Sequence, residues 1–276
     1  MTKLKNTVTS ITIAAILVLL PLANANAIAD PKATGSVGYT AYSTLQRQAN
    51  FDAHQNSLEC TGFWNLDGTY VLEYDYLGSL YLSDMTVSGT TATGGYPSGG
   101  PYSLNWTDAT VAVSGSTVTI VIKYTELSPP YLLTLTGTIA PDGKLNGTWE
   151  DNGAGTRTGT WKSNSGAATS TIVGCNGKGT FNYSDADLNV YGANINCVSV
   201  DSLGKDAWFS GPVVSGNIGA GQWVFVKVHD GGTPGRNGDQ IWGSFVGQDP
   251  CILVAMKVLP NDGPFSIASG NLVVHS

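Results

Sequence analysis

TVTIVIKY, residues 117–124, and YLLTLTGTI, residues 131–139, decide the fold class. In the first, Val118, Ile120, Ile122 and Tyr124 share one face while Thr117, Thr119 and Lys123 share the other. In the second, Tyr131, Leu133, Leu135 and Ile139 lie opposite Thr134, Thr136 and Thr138. A period of two over eight or nine residues is the mark of a half-buried antiparallel strand, one face on a core and one in water. Working outward, turn dipeptides punctuate the neighbouring sequence: Asp67-Gly68, Ser114-Gly115, Pro129-Pro130, Asp142-Gly143 and Asn152-Gly153. Beyond the N-terminal segment no stretch carries a sustained 3.6-residue apolar period, and only TLQRQANFDAHQN, residues 44–56, leaves room for a helical turn. The expected fold is all-β, an antiparallel sandwich or barrel-like body together with an up-and-down meander.

The first 27 residues read as a secretory signal. Lys3 and Lys5 precede an apolar run from Ile11 to Leu22, and the small residues of ANANA follow. That order predicts cleavage after Ala25 or Ala27 and an extracellular mature protein. The apolar run falls short of the roughly 20 residues that span a bilayer, so no membrane span is expected after cleavage. All 20 acidic residues lie beyond this segment but only 11 of the 13 basic ones, which leaves a formal charge of −9. An acidic surface argues against nucleic acid or anionic lipid as partner. Charged residues are only 12% of the chain, so hydroxyl and amide groups carry its solubility, a habit of extracellular β proteins.

Four cysteines, Cys60, Cys175, Cys197 and Cys251, are an even number in an exported chain and favour two disulfides, with three pairings open. None is spaced Cys-x-x-Cys, and the three histidines, His54, His229 and His275, are scattered, so zinc has little support. The chain has no Gly-x-Ser-x-Gly elbow, His-Glu-x-x-His pair or phosphate-binding glycine loop. Glu73, Asp75, Glu126, Glu150 and Asp151 are the carboxylates from which a glycosidase pair would be drawn, yet each sits beside a turn or at a strand end. One loop, in WVFVKVHDGGTPGRNGDQIWGSF (residues 223–245), gathers Asp230, Asn237 and Asp239, oxygen donors suited to calcium. It lacks the order of an EF-hand loop, and its glycines and Pro234 describe a shaped turn equally well.

Two stretches carry resemblances. CTGFWNLDGTYVLEY, from residue 60, and LNGTWEDNGAGTRTGTWK, ending at residue 162, bracket a run of hairpins that looks like the small extracellular meanders of avidin and lipocalin style. This resemblance implies a barrel, with Trp64, Trp149 and Trp161 as core plugs or as a platform for a ligand. The flanks resemble the secreted, uncharacterised post-COAP-like all-β domains. The motifs are GSVGYTA (35–41), FDAH (51–54), GKGTFNYSD (177–185), AWFSGPVVSG (207–216), DGGTPGRNGDQIWGSF (230–245), DGPF (262–265) and SGNLVVH (269–275). Together the resemblances imply a discontinuous host domain, residues 33–57 and 172–276, carrying an inserted meander, residues 58–168. Insertion in turn implies that Cys60 pairs with Cys175 across the ends of the guest and Cys197 with Cys251 within the host. Two sequential domains would instead pair Cys175 with Cys197. The function expected is that of a secreted, non-catalytic module binding a glycan, a surface polymer or a small ligand, without a cofactor. The alternative is an extracellular polysaccharide hydrolase using acids such as Glu150 and Asp151.

Overall fold

The computed structural model describes residues 30–57, 59–95, 105–124, 131–153, 155, 157–232 and 238–276. Residues 1–27, expected to be a signal, and Glu126 and Asn237 lie outside the described residues. The chain is all-β, with two closed eight-stranded antiparallel barrels and a two-stranded ribbon. No helix among the described residues is long and apolar enough to cross a membrane.

The strands of the first barrel come from both ends of the chain. They are β1 (Lys32–Ala41) and β2 (Leu45–Gln55), then, far along the sequence, β13 (Asn176–Asp185), β14 (Val190–Val200), β15 (Asp206–Gly216), β16 (Trp223–His229), β17 (Gln240–Val246) and β18 (Asp262–His275). The order around the barrel is β1-β18-β17-β16-β15-β14-β13-β2, closed by the β1–β2 hairpin. Two non-local pairings complete it. Lys32 to Tyr39 run along β18 from His275 to Ile267, and β2 pairs with β13 from Gln55↔Gly177 to Arg47↔Asp185. The stretch 44–56, where a helical turn had room, is instead strand β2, with Ala49, Phe51 and Ala53 buried at alternate positions. The interior is narrow. Alanines at 33, 49, 53, 193 and 207 leave space for Phe51, Phe181 and Phe209, whose ring centroids lie 5.4–6.3 Å apart.

Between β2 and β13 the chain forms the ribbon β3 (Thr61–Asn65) with β12 (Thr169–Val173), and within it the second barrel, β4 (Gly68–Tyr76), β5 (Ser79–Ser88), β6 (Thr91–Gly95), β7 (Asn105–Ser114), β8 (Thr117–Tyr124), β9 (Tyr131–Ile139), β10 (Leu145–Asp151) and β11 (Thr158–Ser165). Each strand pairs with its sequence neighbours, and β11 returns to β4. Val118, Ile120, Ile122, Leu133, Leu135 and Ile139 are buried, so both alternating runs face inward as their period requires.

The two GTW triplets, 147–149 and 159–161, acquire a meaning from the register. Gly147 stands opposite Trp161, and Trp149 opposite Gly159. Gly147 in turn stands opposite Gly137. The Trp161 indole therefore lies across two strands that present no side chain, and its Nε1 donates to the carbonyls of Thr148 at 3.1 Å and Thr136 at 3.3 Å. A Cβ on Gly147 would come within 2.0 Å of the Thr136 carbonyl oxygen, and one on Gly159 within 2.6 Å of the Trp149 indole nitrogen. The triplet is a packing device: glycine clears the wall that the facing indole covers.

Both disulfides lie where the barrels meet. Cys60 is bonded to Cys175 and Cys197 to Cys251. They cluster with Trp208, Phe225, Val254 and Ala255, the last two on the short helix α1 (Cys251–Ala255). From that helix Ile252 packs instead into the core of the second barrel. Disulfide bonding of all four cysteines is compatible with an extracellular protein.

Candidate functional site

The first barrel is open at one end. β2 begins there and runs away to Gln55, while β13 returns from Asn176 to end there, so the intervening segment joins the barrel at the opposite end. The open end holds a cavity of about 450 Å³, within the range of small-ligand pockets. Its walls are aromatic. Tyr183 stacks on Tyr191 and Phe245 tilts against Tyr191, each pair with centroids 4.8 Å apart; Phe181 lies beneath Tyr191 at 5.8 Å, and Tyr39, Phe265 and Tyr42 form the other side.

Arg47 stands among these rings. It falls on the same face of β2 as Ala49, Phe51 and Ala53, so strand alternation turns a guanidinium toward the barrel interior. The carbon of that group is 5.3 Å from the Tyr42 ring centre, 5.4 Å from Phe265 and 5.9 Å from Tyr183, distances at which a cation is drawn to the π face. Its Nη1 donates to Asp262 Oδ2 at 3.1 Å, and the Tyr42 hydroxyl donates to the other oxygen of the same carboxylate. Its Nε is buried and has no partner. Asp185, at the lip, is saturated: it accepts from the Tyr183 hydroxyl, both nitrogens of Asn189 and the backbone N–H of Asp187. Burial would raise that carboxyl, but these donors outweigh it and hold Asp185 below the usual carboxylate range. Burial pushes the Tyr39 phenol up to about 12, with Arg47 partly opposing, and pushes Tyr183 and Tyr191 up further. All three hydroxyls stay protonated and able to donate at physiological pH.

The residues singled out from sequence lie elsewhere. Trp64, Trp149 and Trp161 are 8%, 3% and 2% exposed and belong to the core of the second barrel. Trp149 and Trp161 pack within that core, while Trp64 also lines a cavity of about 260 Å³ with Phe63, Val113 and Met256. Trp64 reaches that core from the ribbon, and Trp149 is anchored by its Nε1 donating to the Asp75 carbonyl at 3.1 Å. In the β16–β17 loop, Asp230 accepts from the backbone N–H of Gly232 at 2.7 Å and of Val274 at 3.1 Å, and buried Asp239 accepts from Gly231 at 2.8 Å. These carboxylates bond the loop's own backbone, Asp230 to Gly232 as an Asx turn does, and Asp230 also ties the loop to β18 through Val274. Among the described residues no group of three or more His, Cys, Asp or Glu side chains gathers in a metal-binding arrangement.

Glu150 and Asp151 are adjacent on β10, so their side chains point to opposite faces: Glu150 is exposed and Asp151 buried. They do not confront each other across a cleft. Asp151 closes the far end of the second barrel. It accepts from the Tyr131 hydroxyl at 2.6 Å, from Arg157 Nε at 2.8 Å and from the backbone N–H groups of Gly153 and Arg157. Arg157 also donates to the Tyr76 hydroxyl, and Tyr76 stacks on Trp149. Burial opposes ionisation of Asp151, but the hydrogen bonds from Tyr131, Arg157 and Gly153 and the Arg157 charge win, so its pKa is lowered. A carboxyl with a depressed folded pKa stabilises fully above its unfolded value of about 3.9, and that contribution is lost as pH falls through the folded value. Denaturant titrations from pH 6 down to pH 2 should show a steep loss of stability below about pH 4. In Asp151→Asn that loss should be shallower, and identical profiles would refute the assignment.

Tyr183 and Asp262 fall within GKGTFNYSD and DGPF, motifs that carry a resemblance but no chemistry, and Arg47 falls in no motif. The available signal was the phase of β2: in LQRQANFDA, a charge occupies the position that alternation reserves for the core. Comparison of the chain with known protein families, with curated proteins and with solved structures finds no match.

Proposed function

We propose that the protein is exported and non-catalytic, and binds an extracellular ligand, a glycan or a related surface polymer, in the open end of the first barrel. The observation that carries this reading is the cavity itself: aromatic rings around one inward-facing Arg47–Asp262 pair. Aromatic rings suit the apolar faces of sugar rings, and an Arg–Asp pair offers donors and acceptors for hydroxyls. The hydrolase reading is weakened by the placement of Glu150 and Asp151 on opposite faces of one strand and by the locking of Asp151 against Arg157. Export is supported by the signal-like N-terminus and by the use of all four cysteines in disulfides. Within this reading the chain is a post-COAP-like host barrel carrying an avidin- or lipocalin-like guest. Support comes from the pairing of β2 with β13 around the intervening barrel and from the Cys60–Cys175 bond across its ends.

The test is glycan-array binding run beside a reducing-sugar release assay on mixed polysaccharides. Binding without sugar release is expected. Arg47→Met combined with Asp262→Asn removes both charges of the pair, so that neither is left facing an absent partner, a change the fold often tolerates. It should weaken binding at least tenfold, about 1.4 kcal/mol, with the melting temperature little changed. Sugar release abolished by Glu150→Gln would overturn the reading in favour of a hydrolase.

A further inference from the structure

We propose that the ligand of the first barrel's open end carries a protonated amine on a sugar ring, as a de-N-acetylated amino sugar does, and that Asp262 and the aromatic walls receive it. This rests on the open end being the ligand site and specifies what that site selects.

Charge is divided between the two ends of this barrel. Lys32, His54, Lys178 and His275 stand together at the end where the intervening segment joins, through the register Lys32↔His54, Lys178↔His54 and Lys32↔His275. Lys227 and His229 lie in the second half of β16, toward that same end. Among the described residues, Arg47 is the one basic side chain that the strands bring to the open end. Opposed to it are Asp185 and Asp262 in the cavity wall and the exposed Asp187 in the β13–β14 hairpin. The cavity lining thus holds two carboxylates against one guanidinium, and the acidic excess of the whole chain acts in the same direction. Such a mouth repels an anion and draws in a cation.

Within the central ion pair, the anion is the accessible member. The Asp262 side chain is 30% exposed against 15% for Arg47. Each Asp262 oxygen accepts one hydrogen bond, from Tyr42 or from Arg47, and a carboxylate oxygen has capacity for a second. The guanidinium is answered inside the protein, by that carboxylate and by the rings of Tyr42, Phe265 and Tyr183. Asp185 spends its hydrogen bonds on its own hairpin and adds charge without touching the ligand. The cavity therefore offers an acceptor with spare capacity beside electron-rich rings, the 67% exposed Tyr42 among them. An ammonium satisfies both, donating to the carboxylate and drawn to the π faces, whereas an acetylated amine has lost the charge that either contact uses. The sugar ring that carries the ammonium supplies a C–H face for Tyr183, Tyr191 and Phe245.

Titration calorimetry of the full mature chain with the trimer of glucosamine, the trimer of N-acetylglucosamine, trigalacturonate and trilysine tests this. The free amine trimer is expected to bind at least tenfold tighter than the acetylated one, and trigalacturonate weakest of all. Arg47→Met combined with Asp262→Asn removes the acceptor without stranding a buried charge, and should bring the amine trimer down to the affinity of the acetylated one. Tyr183→Ala should weaken both trimers alike. Equal binding of the two trimers, both weakened by Tyr183→Ala, would keep the open end as the site and overturn the amine. Tighter binding of trigalacturonate would overturn it as well, and so would tighter binding of trilysine, by showing that charge without a sugar ring suffices. Failure of all four to bind, or binding indifferent to the substitutions, would overturn the amine together with the site on which it rests. The ranking of the four ligands needs no variant, so it decides the matter even where a substituted chain fails to fold.

Discussion

Trp161→Ala should lower the stability of the protein by about 3–5 kcal/mol, the usual cost of deleting a fully buried tryptophan. The size follows from what the indole covers. Its position opposite Gly147, which stands opposite Gly137, means that no neighbouring side chain can move in to refill the space. Its Nε1 also satisfies strand carbonyls at Thr148 and Thr136. The reciprocal change, Gly147→Val, fails for the opposite reason, since even a Cβ meets the Thr136 carbonyl at 2.0 Å and the Gly137 Cα at 2.4 Å. Chemical denaturation followed by tryptophan fluorescence gives the values. A cost below about 1 kcal/mol for Trp161→Ala would mean that the indole is not buried over a glycine-lined wall.

Removal of the Cys60–Cys175 bond, by Cys60→Ala with Cys175→Ala, is expected to cost about 3–5 kcal/mol. The bond closes a loop with a sequence separation of 115, long enough that the unfolded chain gains much freedom when it is cut. It also ties the ends of the ribbon β3–β12 to each other beside α1, whose Ile252 reaches the core of the second barrel while Val254 and Ala255 pack with the cysteines. A fall in melting temperature of roughly 10 °C corresponds to that energy in a chain of this size. A fall of only one or two degrees would mean that the Thr61–Val173 ladder alone fixes the junction. The Cys197–Cys251 bond, with a separation of 54, ties α1 to β14 of the first barrel and should matter somewhat less on the same argument.

How much of this was legible in the residues differs from element to element. TVTIVIKY and YLLTLTGTI announced themselves because their alternation is local and each has one buried face. The GTW triplets were visible as a repeat, but their meaning depends on β10 and β11 being paired so that glycine meets tryptophan, and register is a property of two strands together. The closure of the first barrel was less accessible still. It needs β1 to find β18 and β2 to find β13 across most of the chain, contacts that no local pattern encodes. The segment TLQRQANFDAHQN left room for a helical turn because Gln and Ala are good helix formers, yet sheet pairing on both sides of β2 overrides that preference.

The candidate site was the least legible part. Its strand residues come from β1, β2, β13, β14, β16, β17 and β18, and only barrel closure brings Arg47 to Asp262. Tryptophans are conspicuous in a sequence, but Trp149 and Trp161 lie in the core of the second barrel, and Asp230 and Asp239 bond the backbone of their own loop. The one local clue was Arg47 on the apolar phase of its strand. A charge in that position demands a partner, and that partner, Asp262, lies 215 residues away in the chain.

The most direct test of the central claim, that the first barrel's open end is where this protein meets its ligand, is chemical-shift mapping of the labelled protein titrated with the tightest-binding sugar from the array. The account predicts shifts at the Arg47 Nε–H and at the rings of Tyr39, Tyr183, Tyr191 and Phe265, with the indole signals of Trp149 and Trp161 unmoved. Shifts confined to the second barrel or to the ribbon around Phe63, with Arg47 silent, would contradict it.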